Sequence, residues 1–83
     1  MAAAPAVVTF YTRRGCHLCE DALRVVEAVR RMRAFALHVV DIDTDDALRT
    51  ECGHDVPVIA INGEEAFWHR VRETEFLERL NRC

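Results

Sequence analysis

The sequence predicts an α/β fold in the order β-α-β-α-β-β-α, with a four-stranded mixed sheet flanked by helices. Three observations carry that expectation. Apolar, β-branched runs alternate with helix-period segments through the first half of the chain, the pattern of a β-α-β crossover. Asn62-Gly63 then marks a tight hairpin between two strand-like runs. The last segment returns to helical spacing, with Phe76, Leu77 and Leu80 facing inward.

Each element has its own justification. Residues 1–5 read as a frayed tail. Residues 6–12 are continuously apolar or β-branched and read as a central strand buried on both faces. Gly15 allows a tight turn into a helix over about 16–33. In that helix Leu18, Ala22, Val25, Val29 and Met32 repeat at helical spacing, with Val26 widening the stripe, and Arg24, Glu27, Arg30 and Arg31 lie opposite. Residues 35–42 form the second strand. Asp43 or Thr44 is placed to cap a short helix running through Cys52, with Gly53 as its stop. Residues 56–61 form the third strand, with Pro57 at its start because proline cannot donate a ladder hydrogen bond. Residues 64–68 return as the fourth strand, and 74–82 close the chain as a helix. A right-handed first crossover makes the first two strands parallel, and the hairpin adds an antiparallel pair.

Composition narrows the function. With 83 residues the chain has room for one domain, read as 1–83. Apolar residues make up 51% and charged residues 30%, the balance of a globular rather than a disordered chain. A formal charge of -3, with all 11 cations arginine and no basic stripe, argues against a nucleic-acid partner. No segment reaches the roughly 18 apolar residues of a membrane span, and the first residues lack the basic start of a secretory signal. The reducing cytoplasm is the expected compartment and a monomer the expected state. Four cysteines in a short chain could form a disulfide scaffold, but their spacings argue against it, because Cys52 and Cys83 lie far from the other two.

Only Cys16 and Cys19 form a compact pair, and they fall where the first strand gives way to the helix. A helix N-terminus offers unpaired N–H groups and a partial positive charge, both of which stabilise a thiolate. Cys-x-x-Cys thiols so placed ionise at about 3.5–7.5 instead of near 8.5. Arg13 and Arg14 add positive charge just before the pair, and His17 adds a titratable ring just after Cys16. Glu20 and Asp21 work the other way. Cys19, turned inward towards Ala22, Leu23 and Val26, is expected to be the less reactive thiol. Cys52 is expected as a half-buried helix residue and Cys83 as an exposed thiol. The competing chemistry is a metal or iron–sulfur module using Cys16 and Cys19, across a dimer if need be, since Cys-x-x-Cys also opens zinc sites. Cys52-Gly53-His54 is a poor second ligand pair for it.

The run Tyr11-Thr12-Arg13-Arg14-Gly15-Cys16-His17-Leu18-Cys19, followed by Asp55-Val56-Pro57 and Ile61-Asn62-Gly63, resembles the glutaredoxins. More narrowly it is similar to the short glutaredoxin-like proteins of the thioredoxin superfamily, which carry an aromatic-Trp pair after the hairpin, as Phe67-Trp68 does here. The likeness runs from about Val7 to Leu80. It implies a thioredoxin/glutaredoxin-like fold and thiol–disulfide exchange, with Cys16 as nucleophile, Cys19 as resolving thiol and Pro57 in a cis peptide bond. Val56 is then expected to present its backbone N–H and C=O to an extended substrate, with Arg13, Arg14, His17 and Trp68 around it. The implied substrate is a disulfide-containing protein or a small thiol, and the implied electron donor is a reductase or glutathione. No permanently bound cofactor is expected. Two departures stand out: His17-Leu18 replace the proline that many glutaredoxins have between their cysteines, and Phe67 and Trp68 stand where a glycine pair lets glutathione approach. At least one of those rings is expected to point into the groove beside Pro57, which argues against glutathione as the reductant.

Overall fold

The computed structural model describes residues 5–82. Its elements follow the expected order: β1 (Val7–Thr12), α1 (His17–Met32), β2 (Ala36–Asp41), a 3-10 turn (Ile42–Thr44), α2 (Asp46–Cys52), β3 (Val58–Ile61), β4 (Glu64–Trp68) and α3 (Glu73–Asn81). The sheet order is β2-β1-β3-β4, with β1 and β2 parallel and the other two pairs antiparallel. It is thus the mixed four-stranded α/β sheet that the sequence predicts.

The hairpin forms as its dipeptide requires. Asn62 at φ 53° and Gly63 at φ 84° both take positive φ, the condition of the tight turn that matches strand twist. Asn62 is also tied to the start of β1. Its side-chain oxygen accepts from the Val7 N–H at 2.9 Å, and its own N–H donates to the Val7 carbonyl at 2.7 Å. A bulge between β3 and β4 at Ile59/Ala60 shifts the register, so Ile59 faces Phe67 while Ala60 faces Glu65.

The core lies on one side of the sheet. Val8, Phe10, Ile59 and Ile61 meet Ala22, Val26 and Val29 of α1 and Phe76 and Leu80 of α3. Phe76 stacks edge-on against Phe35 at 5.7 Å and against Phe67 at 5.9 Å between ring centroids. The ends of α1 and α3 are joined by the Arg33 guanidinium donating to the Asn81 side chain. The other side has a small satellite cluster of Ile42, Cys52 and Val58, supported by Tyr11 and Leu48.

Several local expectations need correction. Strand β1 is not buried equally on both faces: Val8 and Phe10 are fully buried, whereas Val7 is 40% exposed. The short α2 is the reason, because it covers only one end of its side of the sheet. The buried stripe of α1 is Cys19, Ala22, Val26 and Val29, and Leu18 and Met32 are exposed at its margins. Neither Asp43 nor Thr44 caps α2. Asp45 does so, accepting from the N–H groups of Ala47 and Leu48, because Ile42–Thr44 closes a separate 3-10 turn capped by Asp41. Gly53 ends α2 in right-handed backbone at φ −54°, so its role there is not a left-handed stop. Cys52 is buried rather than half-buried. Residues 1–4 and Cys83 lie outside the described residues.

Candidate functional site

The sheet register gathers the site at one end. Strand β1 runs into residues 13–16, and β3 begins at the same end because Tyr11 pairs with Val58. Strand β4 finishes there too, since Val58 also pairs with Trp68. The cysteine pair, Pro57 and the segment after Trp68 are therefore brought together by backbone pairing alone.

Gly15 at φ +74° turns the chain into α1. Cys16 is the helix N-cap, in extended backbone, and its Sγ accepts the N–H of Cys19 at 3.0 Å. Cysteine here takes the place usually filled by serine or aspartate, so its sulfur satisfies one of the unpaired helix-terminal donors. Cys16 and Cys19 are joined in a disulfide with Cα atoms 5.2 Å apart, an ordinary separation for such a bond. Cys16 is half-buried, whereas Cys19 is 3% exposed and belongs to the core. One sulfur faces outward and the other inward.

The neighbouring residues divide. Arg13 is held by Asp43, with Nη2 at 2.8 Å from Oδ1 and Nε at 3.4 Å from Oδ2, and its Nη1 donates to the Gly53 carbonyl at 3.3 Å. Its guanidinium thus braces the loop before Cys16 against the 3-10 turn and the end of α2. Because the pair is about one-third exposed, Asp43→Ala should cost only about 0.5–1 kcal/mol in denaturant unfolding. A loss above about 2 kcal/mol would mean the brace does more than tie two surface loops. Arg14 is exposed. The His17 ring is 95% exposed and lies 3.6 Å from the Glu20 carboxylate.

The Val56–Pro57 peptide bond is cis. Pro57 is buried and Val56 half-buried. The Val56 N–H donates to the Cys52 carbonyl at 3.1 Å, so it is not free to pair with a substrate strand as expected. The end of α2 takes it because Gly53 continues in helical backbone and brings residue 56 back over Cys52. The aromatic pair is also placed differently. Phe67 turns into the core against Phe76 and is no part of the groove. Trp68 lies on the opposite face of β4, 47% exposed, with Nε1 donating to Glu65 at 3.1 Å.

A groove of about 380 Å³ opens between α1, from Leu18 onward, and the segment leading to α3; neither the cysteines nor Pro57 lines it. Leu18, Ala22, Val25 and Val71 give it an apolar lining, and Asp21, His69, Arg70 and Arg72 give it a polar one. His69 and Asp55 are the site residues that sequence reasoning missed. The His69 ring meets Asp55 at 3.3 Å, and no local pattern in the chain announces that contact.

Cys52 stands apart from this chemistry. Burial raises its thiol pKa above the ordinary cysteine value, reinforced by the carboxylates of Glu65, Glu51 and Asp55. The unfolded chain therefore ionises Cys52 first, so this thiol's contribution to stability is full below about pH 9 and is lost as pH rises through the folded value. In the reduced, folded protein at neutral pH, iodoacetamide should label Cys16 and leave Cys52 unmodified until the chain unfolds. Labelling of Cys52 at the Cys16 rate would contradict its burial. Among the described residues no three His, Cys, Asp or Glu side chains gather to hold a metal ion. No helix among them is long and apolar enough to cross a membrane.

Comparison with known proteins agrees with this geometry. A crystal structure of a protein from X. campestris superposes with a TM-score of 0.78 at 29% identity, covering 92% of this chain and 97% of that one. A solution structure of a protein from Nitrosomonas europaea gives a TM-score of 0.80 at 23% identity, with 95% of each chain covered. A mutant thioredoxin from Halobacterium salinarum gives 0.72 at 20% identity over 95% of this chain and 74% of its own, a likeness of fold. No curated protein sequence matches the chain. Residues 7–81 match the family model described as "Glutaredoxin-like domain (DUF836)", and the chain belongs to that glutaredoxin-like family of thioredoxin-fold proteins.

Proposed function

We propose that the protein is a thiol–disulfide oxidoreductase that reduces disulfides in protein substrates, with Cys16 as the attacking thiol and Cys19 as the resolving one. The observation that carries this reading is the asymmetry of the pair. Cys16 Sγ accepts a helix-terminal N–H and is half-buried, whereas Cys19 is sealed in the core. In the reduced protein a Cys16 thiolate attacks one sulfur of the substrate disulfide. A Cys16–substrate bond forms, and the other substrate sulfur leaves as a thiolate that takes a proton. Cys19 then gives up its proton and attacks Cys16 Sγ, closing the internal disulfide and releasing the second substrate thiol. The substrate gains two electrons and the protein dithiol loses them. An external dithiol restores the pair by the reverse exchange.

The reading places the protein in the cytoplasm as a monomer with no resident cofactor, and a protein reductant rather than glutathione as its donor. Phe67 does not supply the reason for that preference, because its ring packs against the core at Phe76. The support comes instead from the side chains of His69, Arg70 and Arg72 on the groove wall, where a tripeptide would need close approach to the backbone. The test is NADPH consumption with a disulfide-bonded protein substrate, supplied either with thioredoxin and thioredoxin reductase or with glutathione and glutathione reductase. Turnover is expected in the first system, at least about tenfold above the second. Faster turnover with glutathione would overturn the donor assignment, and none in either would overturn the activity.

A further inference from the structure

We propose that His69 is a positioning residue of the exchange site, latching the 55–57 loop to the end of β4 and fixing the groove wall where the substrate chain seats. This deepens the oxidoreductase reading and rests on it. Three observations converge on His69. Its backbone has φ 66°, the left-handed region that a non-glycine side chain seldom takes. The following N–H, of Arg70, donates back to the Trp68 carbonyl at 2.7 Å, so residues 68–70 make a γ-turn with positive φ at its centre. His69 also bonds the 55–57 loop twice, by its own N–H to the Pro57 carbonyl at 2.8 Å and by its ring to Asp55 at 3.3 Å.

Such a backbone persists only where its surroundings hold it, and outliers of this kind concentrate at working sites. Here the consequence is local and mechanical. The turn at His69 redirects the chain from the edge of the sheet towards α1, which places Val71 in the core and against the groove beside Leu18, Ala22 and Val25. The two bonds fix the separation between that wall and the loop carrying Pro57. A substrate chain running from the groove past Cys16 to that loop would then meet both at a set spacing. The His69–Asp55 pair is half-exposed, so it adds little to global stability. Its role is to order the wall before substrate arrives, and its loss should be read in substrate binding rather than in folding.

The test uses the reduced full-length protein, with the disulfide-bonded protein substrate and saturating thioredoxin and its reductase. His69→Gly keeps the positive φ and removes the ring. It should raise KM about tenfold, short of the roughly hundredfold that a 1 Å misplacement of reacting groups can cost. Its kcat and the rate of Cys16 alkylation by iodoacetamide should stay within about twofold of the parent. Asp55→Ala should raise KM in the same direction. The double variant should match His69→Gly alone, because both substitutions remove one contact. Asp55→Asn, which keeps an acceptor for the ring, should restore the parent KM. An unchanged KM in His69→Gly, multiplicative effects in the double variant, or a matching loss of Cys16 alkylation would each overturn the latch. A parent protein that turns over while His69→Gly equals it refutes the latch alone, whereas a parent without turnover refutes the oxidoreductase reading and the latch together.

Discussion

Cys16→Ser should lower disulfide turnover by about 10³-fold or more, equivalent to about 4 kcal/mol of transition-state stabilisation. The Cys19 variants, by contrast, should attack substrate once and remain attached to it. The two sulfurs share a disulfide but not an environment. Cys16 Sγ takes the N–H of Cys19 at the start of α1, where the helix dipole favours negative charge. Cys19 lies among Ala22, Val26 and their neighbours in the core, where an ionised sulfur would be poorly solvated. Removing Cys16 removes the nucleophile. Removing Cys19 leaves the first exchange intact and deletes the second, so the mixed disulfide accumulates. A serine in place of Cys19 would bury a hydroxyl at a cost of about 1–3 kcal/mol if unpaired, so Cys19→Ala serves as the companion variant. Non-reducing gels and intact mass give the readout. Mixed disulfide with substrate in the Cys16→Ser protein, and none in either Cys19 variant, would reverse the assignment.

What the residues disclosed in advance, and what they withheld, divides along physical lines. The order of elements was legible because it depends on local periodicity and on strong signals such as Asn62-Gly63, whose positive φ values are intrinsic to the dipeptide. The placement of the cysteine pair at a helix start was legible for the same reason. The face each side chain takes was less so. Leu18 and Met32 fit the helical repeat as well as Cys19 and Val26 do, and only the width of the sheet decides which are covered. At least one of Phe67 and Trp68 was expected in the groove beside Pro57 from its position in the chain, but Phe67 packs on Phe76, and Trp68, on the other face of β4, is exposed and bonded to Glu65. The use of the Val56 N–H by Cys52, of Arg13 by Asp43 and of His69 by Asp55 are contacts between distant segments. Nothing in the spacing of any one segment encodes them.

Phe76→Ala should cost about 3–5 kcal/mol, the range for removing a fully buried phenylalanine. The ring has no exposed surface and fills the space where α3 meets both ends of the core, touching Phe35 before β2 and Phe67 on β4. Its loss removes two edge-to-face aromatic contacts and leaves a cavity that three separate elements would have to close. A small domain holds only about 0.05–0.15 kcal/mol per residue in all, so the variant should give up about a quarter or more of its stability. At about 4–8 °C per kcal/mol for a domain of this size, the expected fall in Tm is roughly 12–40 °C. Met32→Ala supplies the contrast. Sequence periodicity puts Met32 in the apolar stripe of α1, yet it is 59% exposed, so its replacement should shift stability by no more than about 0.5 kcal/mol. Urea unfolding of both variants checks the pair, with midpoints moving and slopes preserved. A loss below about 1 kcal/mol for Phe76→Ala, or above about 2 kcal/mol for Met32→Ala, would show that the core is centred elsewhere on these helices.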